Sequence, residues 1–173
     1  MREADRRMTM DQIDFDELRP DESNAARDLI LRILNREYRM ALSLAELPDL
    51  VDVHDTYRSS GAGNFWAASS AGSVVGCIGA LRLDGADFEL RRMYVDPAFR
   101  GRGIAHRLLD IALAWCSVHG AANVYLETNE QWKAAHHLYE KRGFVEVPRE
   151  ALPPAFPVVR VATGFYRLRL GVR

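Results

Sequence analysis

A glycine-rich segment between a predicted strand and a strongly predicted helix carries the residues best suited to chemistry. It reads Arg100-Gly101-Arg102-Gly103-Ile104-Ala105. Glycines at such a junction allow a tight turn that exposes successive backbone N–H groups at the start of the helix. These donors and the helix dipole favour an anion, and Arg100 and Arg102 add charge for a phosphate. The segment predicts a phosphate site, and the alternative is a tight turn with solvated arginines.

Two common phosphate-binding motifs do not fit this segment. The dinucleotide fingerprint requires a third glycine where this chain has His106. The P-loop requires Gly-Lys-Ser/Thr, whereas Ile104 and Ala105 follow Gly103. A nucleotide-binding protein of either kind is therefore disfavoured.

Three blocks of the sequence resemble the GNAT acetyltransferases in their order and spacing. Arg100, Gly103 and Ala105 resemble the Arg-x-x-Gly-x-Gly/Ala pyrophosphate loop of that family. Residues 90–97 resemble the strand before the loop, and residues 138–144 resemble a later helix end. The resemblance implies an enzyme that transfers an acetyl group from acetyl-CoA, its cosubstrate, directly to an amine in a ternary complex. A non-catalytic module that binds acyl-CoA on the same fold is the alternative.

The resemblance covers about residues 74–147 and implies an α/β fold with a mixed, twisted sheet of six or seven strands and helices on both faces. Residue patterns agree with it, since they predict the order βααββ, βαβα, ββ. Strands are predicted at 10–18, 64–69, 73–83, 87–95, 123–128, 144–147 and 164–170. Helices are predicted at 23–38, with Asp21 and Ser23 as capping residues, and at 104–118 and 133–142. A shorter helix is predicted at 43–58, and Pro48 either breaks it or starts it. We expect a single domain over residues 10–173, preceded by a loose N-terminus at 1–9.

The resemblance also implies how coenzyme A binds. Its pyrophosphate would lie on the N–H groups of the glycine-rich segment, and its pantetheine arm beside a strand that is bulged and splays from the strand at 123–128. The residues assigned to the cofactor are Met93, Tyr94, Val95, Arg100, Gly101, Arg102, Gly103, Ile104, Ala105 and Asn129. Many relatives have a pantetheine-binding asparagine at the position of Trp132. Asn129 either takes over that contact or caps a helix.

Two residues are assigned to catalysis by the resemblance. Glu89 matches the position of a general-base glutamate in some members, although a salt bridge with Arg91 is an alternative role. Tyr139 matches the general-acid tyrosine that would protonate the sulfur of coenzyme A. Its alternative role is that of a core residue.

Composition limits the remaining possibilities. The chain has 173 residues, 48% of them hydrophobic, and a net charge of −1, so broad nucleic-acid binding is not expected. No apolar run is long enough for a membrane span and no signal sequence is seen, so the expected location is cytoplasmic. Cys77 and Cys116 lie in apolar segments without metal-ligand spacing, which indicates reduced core thiols and no metal. Dimers are common among similar proteins, and the last strand is one candidate interface for a homodimer.

The acceptor is not identified by the sequence. An acidic set in residues 39–63 would suit a cationic amine, or it forms a solvated helix face. Arg149 and Arg160 in a proline-rich loop could hold a carboxylate, and Phe156 would line an apolar wall there. Small amines, amino-acid-like compounds, and protein N-termini or lysines all remain open. The acidic set consists of Glu46, Asp49, Asp52 and Asp55.

Overall fold

The computed structural model describes residues 12–59 and 61–171. The predicted loose N-terminus at 1–9 lies outside these ranges. The strands are β1 (Ile13–Glu17), β2 (Gly63–Ser70), β3 (Ser73–Asp84), β4 (Asp87–Val95), β5 (Asn123–Thr128), β6 (Val145–Glu146) and β7 (Gly164–Arg169). The α-helices are α1 (Ser23–Arg32), α2 (Val53–Arg58), α3 (Ile104–Val118) and α4 (Lys133–Lys141). A π-helical turn, Ile33–Glu37, extends α1.

The seven strands form one mixed sheet in the order β1-β2-β3-β4-β5-β7-β6. β1 with β2, β5 with β7, and β6 with β7 are antiparallel pairs. β4 and β5 are parallel, with Asp87–Glu89 opposite Asn123–Tyr125. The predicted α/β class and strand number are therefore confirmed. A parallel pair needs a crossover connection, and α3 provides it.

The described residues divide into two compact units. The first runs to Gly79 and includes Arg92–Leu109, and the second comprises Ala80–Arg91 and the chain from Asp110 onward. β3, β4 and α3 contribute residues to both units. The single domain over residues 10–173 stays a prediction.

In the first unit, α1 buries one face because its apolar residues recur at steps of three and four. Ala26, Leu29 and Ile30 are almost completely buried, and the π-helical turn adds Ile33 and Leu34 to the same core. Burial of such side chains contributes about 1.5–3 kcal/mol each relative to exposure. This packing makes α1 a stable frame for the residues that follow it.

Ser23 does not cap the helix for which it was predicted. The N-cap of α1 is Glu22, after a 3-10 turn. The Ser23 hydroxyl instead accepts hydrogen bonds from the N–H groups of Val53 at 2.8 Å and His54 at 3.2 Å. These are first-turn donors of α2, which lack partners within their own helix. Ser23 therefore links the start of α1 to the start of α2.

The helix predicted at 43–58, which Pro48 would break or start, forms only in its second half. A 3-10 turn at Pro48–Leu50 is followed by the short helix α2, and the residues from 43 to 47 form no helix. Leu47 has φ −128° and ψ 63°, because the residue before a proline is sterically pushed away from the α conformation. Helical structure in this segment therefore begins at Pro48.

The second unit has its own apolar cluster, formed by Tyr125, Val147, Phe156 and Phe165. Tyr125 and Phe165 belong to neighbouring strands, whereas Phe156 belongs to the proline-rich loop. The aromatic rings of Phe156 and Phe165 meet edge to face with their centroids 6.3 Å apart. Phe156 therefore fixes the loop on the sheet.

No helix among the described residues is long and apolar enough to cross a membrane.

Gly79→Ala is expected to lower the free energy of unfolding by about 1–3 kcal/mol, because overpacking a core has that cost. A Cβ atom at Gly79 would lie 2.5 Å from Cε1 of Tyr57 and 2.8 Å from Cδ2 of Phe65. Urea unfolding would measure the change. Gly171→Ala is the control, since a Cβ atom there meets nothing within 4 Å. Equal stability of the Gly79 variant and the wild type would contradict this packing.

Candidate active site

β4 carries a backbone irregularity at the position where its pairing with β5 has ended. The parallel register stops at Glu89 and Tyr125, while β4 continues to Val95 and β5 to Thr128. Arg92 has φ 55°, a left-handed conformation that costs roughly 1–2 kcal/mol for a non-glycine residue. A left-handed residue inside a strand interrupts the pleat and re-aims the backbone after it. The left-handed residue lies in the strand for which the resemblance implies a bulge, and the bulge itself stays a prediction.

The glycine-rich segment has the geometry of an anion site at the start of a helix. Gly101 and Gly103 have φ 75° and 78°, which glycine adopts without steric cost. A Cβ atom at either glycine would meet nothing within 4 Å, so the space above this backbone is open. α3 begins at Ile104 and has no acidic residue in its first turn. Its first N–H groups lack helical partners and favour an anion.

Arg100 is held by groups within the first unit. Its guanidinium donates to both carboxylate oxygens of Glu37, at 2.6 and 2.8 Å, and its Nε donates to the carbonyl of Val95 at 3.0 Å. The hydrogen bonds to Arg100 lower the pKa of the Glu37 carboxyl, and partial burial opposes this shift. The arginine therefore ties the segment to the end of β4 and to the π-helical turn.

Arg102 and the end of β4 are further residues of the first unit that the sequence assigned to the cofactor. The Arg102 guanidinium lies 5.1 Å from the ring centroid of Phe99, in a cation–π contact. Met93 and Tyr94 are half-buried and Val95 is buried. Burial also raises the pKa of the Tyr94 hydroxyl above its usual range. The structure thus joins Met93–Val95 and the glycine-rich segment through Arg100.

Glu89 lies in the second unit and is 0% exposed. Its carboxylate forms an ion pair with Nε of Arg91 at 3.0 Å. Two residues apart on a strand, these side chains share one face. A buried carboxylate requires such a partner. The salt bridge that the sequence offered as an alternative is present, and the general-base role stays a prediction.

Tyr139 is 7% exposed and lies on α4. Its ring centroid is 5.7 Å from that of Phe144 and 6.1 Å from that of Tyr166. Tyr166 in turn donates from its hydroxyl to Glu140 at 3.2 Å. Tyr139 is therefore a rigidly packed tyrosine, and the general-acid role stays a prediction.

Asn129 has a structural task that the sequence only half anticipated. Its Oδ1 accepts from the N–H of Gln131 at 3.0 Å, which closes a turn before α4. Its Nδ2 donates to the carbonyl of Val161 at 2.7 Å. Glu127 accepts from the N–H of Val159 at 3.1 Å. The end of β5 therefore anchors the proline-rich loop on both sides of Arg160, a connection that sequence spacing alone could not reveal.

The acidic set of residues 39–63 has internal partners. Glu46 accepts from the N–H and hydroxyl of Ser43, and Asp52 caps α2 by accepting from the N–H of Asp55 at 3.0 Å. Asp49 is buried and paired with Arg92. These contacts favour a structural role over a surface that holds a cationic amine.

The two cysteines are free and buried, as predicted. Burial raises the pKa of both thiols to about 12, so neither is a reactive thiolate at neutral pH. Among the described residues, no group of three or more His, Cys, Asp or Glu could hold a metal ion.

Comparison with known proteins identifies the family and the fold. Residues 27–144 match the model of the acetyltransferase (GNAT) family. The chain belongs to the GNAT family. An acetyltransferase of that family from Staphylococcus aureus superposes with a TM-score of 0.88 at 31% identity, covering 92% of this chain and 100% of the other.

Relatives in sequence include proteins with two different names. An uncharacterized N-acetyltransferase of Escherichia coli is 32% identical over 133 residues, which are 73% of this chain and 78% of the relative. The N-acetylaspartate synthetase of Danio rerio is 39% identical over 100 residues, 57% of this chain and 36% of the relative. The chain spans about a third of the length of the synthetases of Danio rerio, Homo sapiens and Rattus norvegicus.

Proposed function

We propose that this GNAT protein transfers an acetyl group from acetyl-CoA to an amine by direct attack in a ternary complex. The observation that carries the proposal is the pair of left-handed glycines, Gly101 and Gly103, directly before the first turn of α3. The open backbone there suits the pyrophosphate of coenzyme A. Because Arg100 is bound by Glu37, backbone N–H groups and Arg102 are the proposed phosphate ligands.

The proposed pantetheine contact is the main chain of Met93–Val95, which follows the left-handed residue in β4. Where β4 no longer pairs with β5, the backbone N–H and C=O groups on that edge of β4 are able to hydrogen-bond to the amides of the cofactor. Asn129 was also assigned to the cofactor. A contact from its amide to pantetheine would have to coexist with the bonds to Val161 and Gln131.

The reaction requires two proton transfers. An amine with a lysine-like pKa of roughly 10 is protonated at neutral pH and must lose a proton before attack. Glu89 is the proposed acceptor of this proton, through an intervening water because the carboxylate is buried. Attack then forms the C–N bond, and collapse of the tetrahedral intermediate breaks the C–S bond. Tyr139 is proposed to protonate the leaving thiolate.

The acceptor that we propose first is an amino acid with a side-chain carboxylate. Relatives named N-acetylaspartate synthetase support this choice. Arg160 supports it independently, because it is exposed while both of its neighbours are fixed, Val159 by Glu127 and Val161 by Asn129. A guanidinium at an anchored position of the main chain suits bidentate binding of a carboxylate.

Turnover is the direct test of the activity. The protein would be incubated with acetyl-CoA and separate acceptors, namely aspartate, neutral amino acids, a polyamine and a short peptide, and the acetylated product identified by mass spectrometry. Acetylation of aspartate above the other acceptors is expected. Acetylation of a different amine would support the acetyltransferase activity and would reject the proposal that the acceptor carries a side-chain carboxylate. Binding of acetyl-CoA without acetylation of any amine would instead favour the non-catalytic module.

Gly103→Asp is expected to raise the dissociation constant of coenzyme A by about tenfold or more, since it places a negative charge beside the phosphates. Calorimetric titration measures the constant. Gly72→Asp is the matched control, because Gly72 has nearly the same φ, 79°, and equally open space. Both variants carry a similar backbone strain. Equal coenzyme A affinity in the two variants would show that the phosphates of coenzyme A do not bind to this segment.

Tyr139→Phe is expected to lower kcat by about 10²–10⁴-fold, as loss of a general acid does, with little change in the dissociation constant of acetyl-CoA. Steady-state kinetics and calorimetry measure the two quantities. Tyr166→Phe, which removes a neighbouring hydroxyl, is the control and should keep wild-type kcat. If Tyr139→Phe also keeps wild-type kcat, this tyrosine has no part in proton transfer.

A further inference from the structure

Arg92 has a backbone conformation that its own strand does not explain. Four non-glycine residues among those described have positive φ, namely Arg39, Ala41, Ala71 and Arg92. Arg92 is the member of this set that lies inside a strand. A left-handed non-glycine residue persists only where surrounding contacts impose it. The contacts of Arg92 therefore indicate what holds this irregularity in place.

The Arg92 side chain is held by a buried carboxylate from a distant part of the chain. Its Nε and Nη2 donate to the two oxygens of Asp49 at 2.8 and 2.7 Å. The two side chains are only 11% and 10% exposed. Asp49 also accepts from the hydroxyl of Tyr57 at 3.1 Å, and Tyr57 is completely buried. Burial lowers the pKa of Arg92, but the hydrogen bonds and charge of Asp49 outweigh it and raise the pKa above its usual range.

The Arg92 main chain is also held. Its carbonyl accepts a hydrogen bond from the thiol of Cys77 at 3.3 Å. Arg92 is thus fixed at both its side chain and its carbonyl, and the residues that fix it come from β3 and from the turn at Pro48–Leu50.

Stability alone is a poor explanation for this arrangement. A buried ion pair is often no more stabilising than apolar residues of the same volume, and a left-handed arginine is strained. Both features become useful if they fix the direction of the backbone that follows. Met93–Val95, the proposed pantetheine contact, begins at the next residue.

We propose that Asp49 is a positioning residue, which acts through Arg92 to fix the irregularity in β4 and so directs Met93–Val95 toward the cofactor. This inference rests on the proposed acetyl-CoA-dependent function. It assigns Asp49, a member of the acidic set, to the binding of acetyl-CoA rather than to the acceptor. Asp49 touches neither substrate in this proposal.

The test compares Asp49→Ala with the double variant Asp49→Ala/Arg92→Gly, using KM for acetyl-CoA, kcat, and calorimetric affinity for coenzyme A. Asp49→Ala is expected to raise KM by about tenfold to hundredfold, because a misplaced backbone of about 1 Å has effects of that size. The double variant should recover most of this loss, since glycine adopts the left-handed conformation without an anchor and no buried guanidinium is left unpaired.

Thermal stability is measured on every variant, and Glu17→Gln is the control. Glu17 forms an ion pair with Arg58 in the same unit, and both side chains are about half exposed. Loss of this ion pair should leave KM unchanged. If Asp49→Ala does not fold, Asp49→Asn replaces it in the comparison, because asparagine keeps the shape of the aspartate side chain. Asp49→Asn is expected to raise KM by a smaller factor, and the double variant Asp49→Asn/Arg92→Gly should recover most of that loss.

Two results would overturn the inference. One is a folded Asp49 variant with wild-type KM and affinity. The other is a double variant that regains stability but keeps the raised KM, because Asp49 would then act otherwise than through Arg92. Wild-type protein that fails to bind coenzyme A would reject the proposed function, and this inference with it. Wild-type binding with an unaffected Asp49 variant rejects the inference alone.

Discussion

The parallel ladder between β4 and β5 is short, and the rest of the site follows from that constraint. It covers Asp87–Glu89 opposite Asn123–Tyr125, after which β4 continues to Val95. Backbone N–H and C=O groups that leave a ladder need other hydrogen-bond partners. In the proposed function, the amides of pantetheine are those partners. In that proposal, the early end of the ladder makes β4 the strand that binds the cofactor.

Two arginine–carboxylate pairs hold the backbone on which this account depends. Arg92 pairs with Asp49, and Arg100 pairs with Glu37. Each pair is bidentate, a geometry that fixes orientation as well as distance. Both arginines lie in the segment that resembles the family's cofactor motifs, yet both are engaged by the protein. These two arginines therefore shape the backbone, and the proposed phosphate site relies on N–H groups and Arg102.

Much of the fold was predictable because its signals are local. The apolar spacing of α3 and the turn residues around β4 predicted both elements with the observed bounds, Ile104–Val118 and Asp87–Val95. The interactions that the sequence did not reveal join residues that are far apart along the chain. Asp49 and Glu37 meet arginines 43 and 63 residues away, and no periodic pattern reports such pairs. In the segment predicted as a helix at 43–58, helical structure begins only at Pro48, because a proline disfavours the α conformation at the residue before it, here Leu47.

The central claim is that the glycine-rich segment binds the pyrophosphate of coenzyme A. A thermal-shift titration with acetyl-CoA, free coenzyme A, ATP and NAD tests it most directly. A ligand at about 100 times its dissociation constant stabilises the folded state by roughly 2.7 kcal/mol, which raises the melting temperature of a domain of this size by several degrees. A rise is expected with acetyl-CoA and coenzyme A alone. No rise at millimolar acetyl-CoA, or a rise only with ATP or NAD, would contradict it.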